Sequence, residues 1–76
     1  MGKYYYVDTD YFFGNFFEPK WALICGELGE DGEKDVSTEE VVMWRKWEQG
    51  EGDLDFEELE SAMTEELGFV PDYEIN

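Results

Sequence analysis

DVSTEEVVMWRKWE, residues 35–48, is the stretch on which the architecture of this chain turns. Its opening residues carry several consistent helix-start signals. Ser37 can cap the amide three residues on while Glu40 reaches back, which forms a capping box. Val36 and Val41 stand at the positions of a hydrophobic staple. A helix is therefore predicted over about residues 37–48, closed by the segment QGEG, whose Gly50 and Gly52 suit a C-terminal stop. Val41, Trp44 and Trp47 fall on one side of that helix, with Val42 and Met43 spread over the others. So broad an apolar arc has two readings: one residue, Met43 foremost, is exposed, or the helix is pinned between a sheet and a second helix. The second is the simpler.

Working outward toward the C-terminus, a second helix is predicted over about residues 54–67. Asp53 or Asp55 is its N-cap, and Glu57 and Glu58 sit near the positive end of its dipole. Phe56, Leu59, Met63 and Leu67 recur at helical spacing and predict one buried stripe. Gly68 ends the helix, and the tail, residues 69–76, offers a short edge strand on one side or the other of Pro71.

Toward the N-terminus, GEDGEKD (29–35) is a polar turn, and residues 3–28 are β-rich. Trp21–Cys25 is a continuous apolar run that predicts a central strand, with Leu28 as its outer limit. Lys3–Asp8 predicts another, with Tyr4 and Tyr6 on one face and Tyr5 and Val7 on the other. Gly14-Asn15, between Tyr11–Phe13 and Phe16–Phe17, is either a hairpin turn or part of a loop. The expectation for residues 1–76 is a single α+β domain: a small antiparallel β-sheet of two to three strands followed by two packed α-helices.

Composition bounds what such a domain can do. Its 76 residues sit near the lower limit of independent stability, and with Cys25 alone no internal disulfide helps. Packed aromatics stabilise a core this small, each burying about 150–250 Å². The absence of histidine leaves no zinc site, so neither a metal nor another cofactor is expected. No apolar run approaches the ~20 residues of a membrane span and no signal-peptide pattern is present, which predicts a soluble cytoplasmic protein without membrane contact. Catalysis is not expected either. Only Ser37 and Ser61 supply hydroxyl nucleophiles of that type, and carboxylates this numerous match any two-carboxylate template by chance.

Charge is the dominant feature. Asp and Glu number 21 against 5 Lys and Arg, a formal net charge of −16. From Trp47 to Asn76 there are 11 acids and no base. Self-repulsion of this size opposes folding. A hydrophobic content of 42% is nevertheless enough for a core, which argues against disorder. Concentration of the acids in one part of the chain argues against a general halophilic coat. The same charge balance argues against direct nucleic-acid binding, which relies on Lys and Arg neutralising phosphates.

EGDLDFEELESAM (51–63) has the second half of an EF-hand, with Gly52 at the invariant glycine and Glu58 at the bidentate twelfth ligand. The first half fails, because Trp47 would stand at position one and Gln49 at position three. What remains is the acidic surface. Glu57, Glu58 and Glu65 fall on the outer arc of the second helix, where neighbours three or four apart lie about 5–6 Å from one another at Cβ. Phosphates along a nucleic-acid strand have a comparable spacing. Glu51, Asp53 and Asp55, with Glu30, Asp31, Glu33 and Asp35 farther off, would extend the track. A basic groove built for nucleic acid attracts such a surface, since Arg and Lys pair with carboxylates much as with phosphates.

In size, charge and its acidic segment 48–66 the chain resembles the small acidic inhibitors of phages and mobile elements, the DNA mimics and many anti-CRISPR proteins. That resemblance implies occupation of a nucleic-acid groove in a defence protein, such as a CRISPR-Cas effector, in the cytoplasm of a bacterial host. The partner expected is a basic nucleic-acid-binding protein or complex. Two alternatives use the same acids: an immunity protein or antitoxin covering a basic nuclease toxin, and a degenerate EF-hand-like calcium-binding or regulatory module. Hydrophobic anchors are expected beside the charges. The surplus rings of the aromatic segment 4–17, Tyr5, Tyr11, Phe13 and Phe16, are the candidates, for the target or for a second copy in a homodimer.

Overall fold

The computed structural model describes residues 2–11, 19–47 and 52–76. Among them the chain forms β1 (Lys3–Asp8), β2 (Trp21–Leu28), β3 (Lys34–Arg45), α1 (Phe56–Leu67) and β4 (Tyr73–Ile75). The strands make one sheet in the order β3-β2-β1-β4. β2 runs antiparallel to both β1 and β3, while β4 lies parallel to β1, so the sheet is mixed. The expected two helices after a two- to three-stranded sheet are thus corrected to a mostly β fold with one short helix among the described residues.

The correction falls on residues 35–45. β2 is apolar and buried from Trp21 to Ile24, and pairing on one side only would leave a row of its backbone groups exposed. β3 closes that side. Val36, Thr38, Val41 and Val42 are β-branched and Trp44 is aromatic, types that fit a pleated surface better than a helix. The polar residues that spell a capping box are used differently. Ser37 donates its hydroxyl (2.6 Å) and its amide (3.1 Å) to Asp35 Oδ1. Thr38 Oγ1 donates to the Asp35 carbonyl at 2.6 Å and accepts the Glu27 amide at 2.8 Å. These bonds hold an irregularity in the β2–β3 ladder between Cys25 and Glu27. A second register shift lies between Leu23, opposite Met43, and Ile24, opposite Val41. Val42 is the extra residue, and it places Met43 and Val41 on opposite faces of the sheet. Met43, one candidate for exposure in the helical reading, is buried.

α1 covers one face. Leu59, Ala62 and Met63 pack on Val7, Trp21, Leu23 and Met43, with Tyr5, Leu54, Leu67 and Tyr73 half-buried around them. The helix starts where its cap dictates: Asp55 is extended and its Oδ1 accepts the Glu57 amide at 2.9 Å. It ends at Gly68 in the left-handed region (φ 84°), whose amide bonds the Thr64 carbonyl. Phe56, expected on the buried stripe, is 53% exposed. Ala62 takes its place in the core. The edge strand expected near Pro71 is β4, directly after it. The Gly14-Asn15 turn lies outside the described residues.

Candidate protein-interaction surface

The sheet face away from α1 is built by period-two alternation. Tyr4 and Tyr6 stand two residues apart on β1, opposite Gly26 and Ile24 of β2. Gly26 is required there, because a Cβ would overlap the Tyr4 ring. The two rings stack at 6.5 Å with 8° between their planes. Both hydroxyls reach across β2 to β3. Tyr4 donates to Glu39 Oε2 and Tyr6 to Glu39 Oε1, each at 2.6 Å. One carboxylate is thereby clamped by two phenols. Lys34 Nζ lies 5.3 Å from the Tyr4 ring centroid and 3.3 Å from Glu74 on β4. Beside the clamp, Tyr6, Tyr11, Ile24, Glu39, Glu40 and Val41 line a pocket of about 260 Å³.

Burial raises the Tyr4 hydroxyl to about 12, reinforced by its bond to Glu39. The same causes, in the same order, push Tyr6 up. Burial also raises Tyr5 and Tyr73. In the unfolded chain these phenols ionise near 10. Below that pH both states keep their protons and stability is complete. Above it the native state holds more protons than the unfolded one, so stability falls as pH rises. The urea midpoint is expected to stay level to about pH 10 and to drop from there toward pH 12. A level midpoint through this window would contradict the clamp, and Tyr4→Phe with Tyr6→Phe should flatten the drop.

The second surface is the outer side of α1 and the segment leading into it. Asp53, Glu57 and Glu65 are exposed there; Glu66 is exposed too but lies toward β3, where it lines a hollow with Val42 and Trp44. Asp55 is occupied as the cap. Glu58 is not a free carboxylate: it receives Lys20 Nζ at 3.1 Å, and that lysine side chain is only 1% exposed. Glu60 accepts the Tyr73 hydroxyl at 2.8 Å. Comparison with known protein families, curated proteins and solved structures finds no match. The surfaces must therefore be read from their own chemistry.

Of the residues expected at a binding surface, Asp53, Asp55, Glu57, Glu58 and Glu65 do cluster on α1 and its lead-in, whereas Tyr5 packs half-buried against the core. Tyr11 lines the pocket on the other face. Glu51, Phe13 and Phe16 lie outside the described residues. Glu30, Asp31, Glu33 and Asp35 do not prolong the helical track. They sit at the β2–β3 hairpin, at the Leu28 end of β2, while Glu58 meets Lys20 beside Trp21 at the other end. A strand of this length separates the two by roughly 23 Å at about 3.3 Å per residue. The acids thus form two patches.

Sequence reasoning missed Glu39 as a site residue because it was placed in a helix; two tyrosines at period-two spacing on β1 were the signal that something would bind their hydroxyls. As for calcium, no group of three or more metal-ligating side chains is arranged for an ion among the described residues. Nor is any helix among them long and apolar enough to cross a membrane.

Proposed function

We propose that this chain is a non-enzymatic acidic inhibitor that occupies a positively charged nucleic-acid-binding site on a bacterial defence protein, such as a CRISPR-Cas effector. The observation that supports this reading is the outer side of α1 and its lead-in. Asp53, Glu57 and Glu65 project into solvent there, in a segment with no Lys or Arg after Lys46. The helix is held from below by Leu59, Ala62 and Met63, so the carboxylates stand on a rigid support. Carboxylates on a rigid support would meet a basic groove without much ordering cost. Opposite charge steers the encounter and makes it sensitive to salt.

The test is capture of a partner from bacterial lysate, followed by competition with that partner's DNA or RNA. Saturating amounts of the chain should displace the nucleic acid. A partner that binds nucleic acid equally well with and without the chain would overturn the proposal. In the same assay Asp53→Lys, Glu57→Lys and Glu65→Lys together, each adding two positive units to the net charge of −16, should weaken binding at least tenfold at low salt. The circular dichroism of this variant should keep the α1 signal, because all three side chains are exposed, none caps α1, and the dipole contribution lost at Glu57 is only about 0.3–1 kcal/mol.

A further inference from the structure

Glu39 combines features that no other carboxylate among the described residues shares. It is half-buried, both of its oxygens are held by phenolic hydroxyls, and it takes part in neither the Lys20–Glu58 nor the Lys34–Glu74 ion pair described above. A carboxylate offers about four lone-pair sites. The tyrosines use one on each oxygen and leave one on each. Two parallel acceptors in a fixed orientation match the fork of a guanidinium, which bonds carboxylates bidentately and stacks on aromatic rings. Tyr6 and Tyr11 supply rings in the same pocket wall, Glu40 supplies a second carboxylate, and Ile24, Val36 and Val41 supply apolar surface for an aliphatic stem. At about 260 Å³ the pocket falls below the usual size of a metabolite site, about 300–1,000 Å³, which favours a single side chain as occupant.

We infer that this pocket receives an arginine side chain of the partner protein, with the clamped Glu39 as its bidentate acceptor. The inference rests on the reading of the chain as a ligand for a basic protein, and it names the anchor that the acidic helix lacks. Charges direct the encounter, whereas a desolvated Arg in a pocket concentrates interface energy. The Tyr4 and Tyr6 bonds set the carboxylate in place before the partner arrives, which lowers the ordering cost of binding.

Hexa-arginine is the probe, titrated into the isotopically labelled protein near physiological ionic strength, about 0.15 M. Amide shifts are expected at Tyr6, Tyr11 and Glu39–Val41. Hexalysine, of equal charge, should bind severalfold more weakly. Glu39→Gln should weaken hexa-arginine about tenfold, the loss of a charge-assisted bond. Glu65→Gln on α1, with the same change in net charge, should weaken it less than twofold. Val36→Lys tests the site without touching the clamp. Val36 is 69% exposed, so the fold tolerates the change, and a tethered cation at the rim should suppress the shifts. Shifts confined to α1, equal affinity for the two peptides, or equal effects of Glu39→Gln and Glu65→Gln would each overturn the inference. Failure here is separable from failure of the proposed function. If nucleic-acid competition holds and Val36→Lys leaves it unchanged, the pocket is not the anchor. If competition fails while hexa-arginine still seats in the pocket, the inhibitor reading falls and the site stands.

Discussion

Leu59→Ala is expected to leave much of the chain unfolded at 25 °C, whereas Phe56→Ala, one turn earlier, is expected to be nearly silent. Leu59 has no exposed surface and contacts the apolar cluster that joins α1 to the sheet. Truncating a buried leucine costs about 2–5 kcal/mol, with the cavity as a substantial part of the loss. A chain of this length has a total stability of roughly 4–11 kcal/mol at about 0.05–0.15 kcal/mol per residue. Mutual repulsion within a net charge of −16 places it toward the lower end. Phe56 is 53% exposed, so its removal should shift stability by about 0.5 kcal/mol or less. Urea denaturation followed by far-ultraviolet circular dichroism measures both. Comparable losses for the two variants would show that α1 buries a stripe through Phe56, as helical periodicity alone predicts, and would contradict the packing described above.

That pair of residues also marks where the sequence was readable. β2 and β1 were legible because an apolar run and a period-two tyrosine pair admit few other readings. α1 was legible because Asp55, Leu59, Met63 and Gly68 all agree on one helix, with only the outer turn misjudged. β3 was misread because its signals conflict at the local level. Ser37 and Glu40 have the spacing of a capping box, while Val41, Val42 and Trp44 favour a strand. What resolved the conflict is long-range: β2 needs a second pairing partner, and no local window contains that demand. The extra residue at Val42 hid the strand further, since it breaks the alternation that would have revealed one. The acids of α1 were legible as a surface because they are exposed whatever the sheet does. The Tyr4–Glu39–Tyr6 clamp was not, because it joins strands 33–35 residues apart that only the sheet brings together.

Glu58→Lys is expected to destabilise the protein by about 1–3 kcal/mol, more than charge reversals elsewhere on α1. Lys20 is buried at the start of β2, with its ammonium 3.1 Å from Glu58 and 5.5 Å from the Trp47 ring centroid. Removing one member of a fully buried pair costs about 3–5 kcal/mol. Glu58 is half exposed, so water screens part of that loss, but a lysine in its place adds repulsion at short range. Lys20→Met should cost far less, since the charge it leaves behind, Glu58, is half exposed and solvated by water. Thermal denaturation of the two single variants decides the point: equal losses would mean that Glu58 serves Lys20 no better than any exposed acid. The contrast bears directly on function. A binding defect in Glu58→Lys would conflate lost fold with lost contact, whereas Asp53 and Glu65 carry no such duty and Glu57 only a dipole contribution of about 0.3–1 kcal/mol. Helical geometry had put Glu58 among the mimicked phosphates; its bond to Lys20 makes it a fastener between α1 and the sheet, and the rigidity it confers is what holds the remaining carboxylates at fixed spacing.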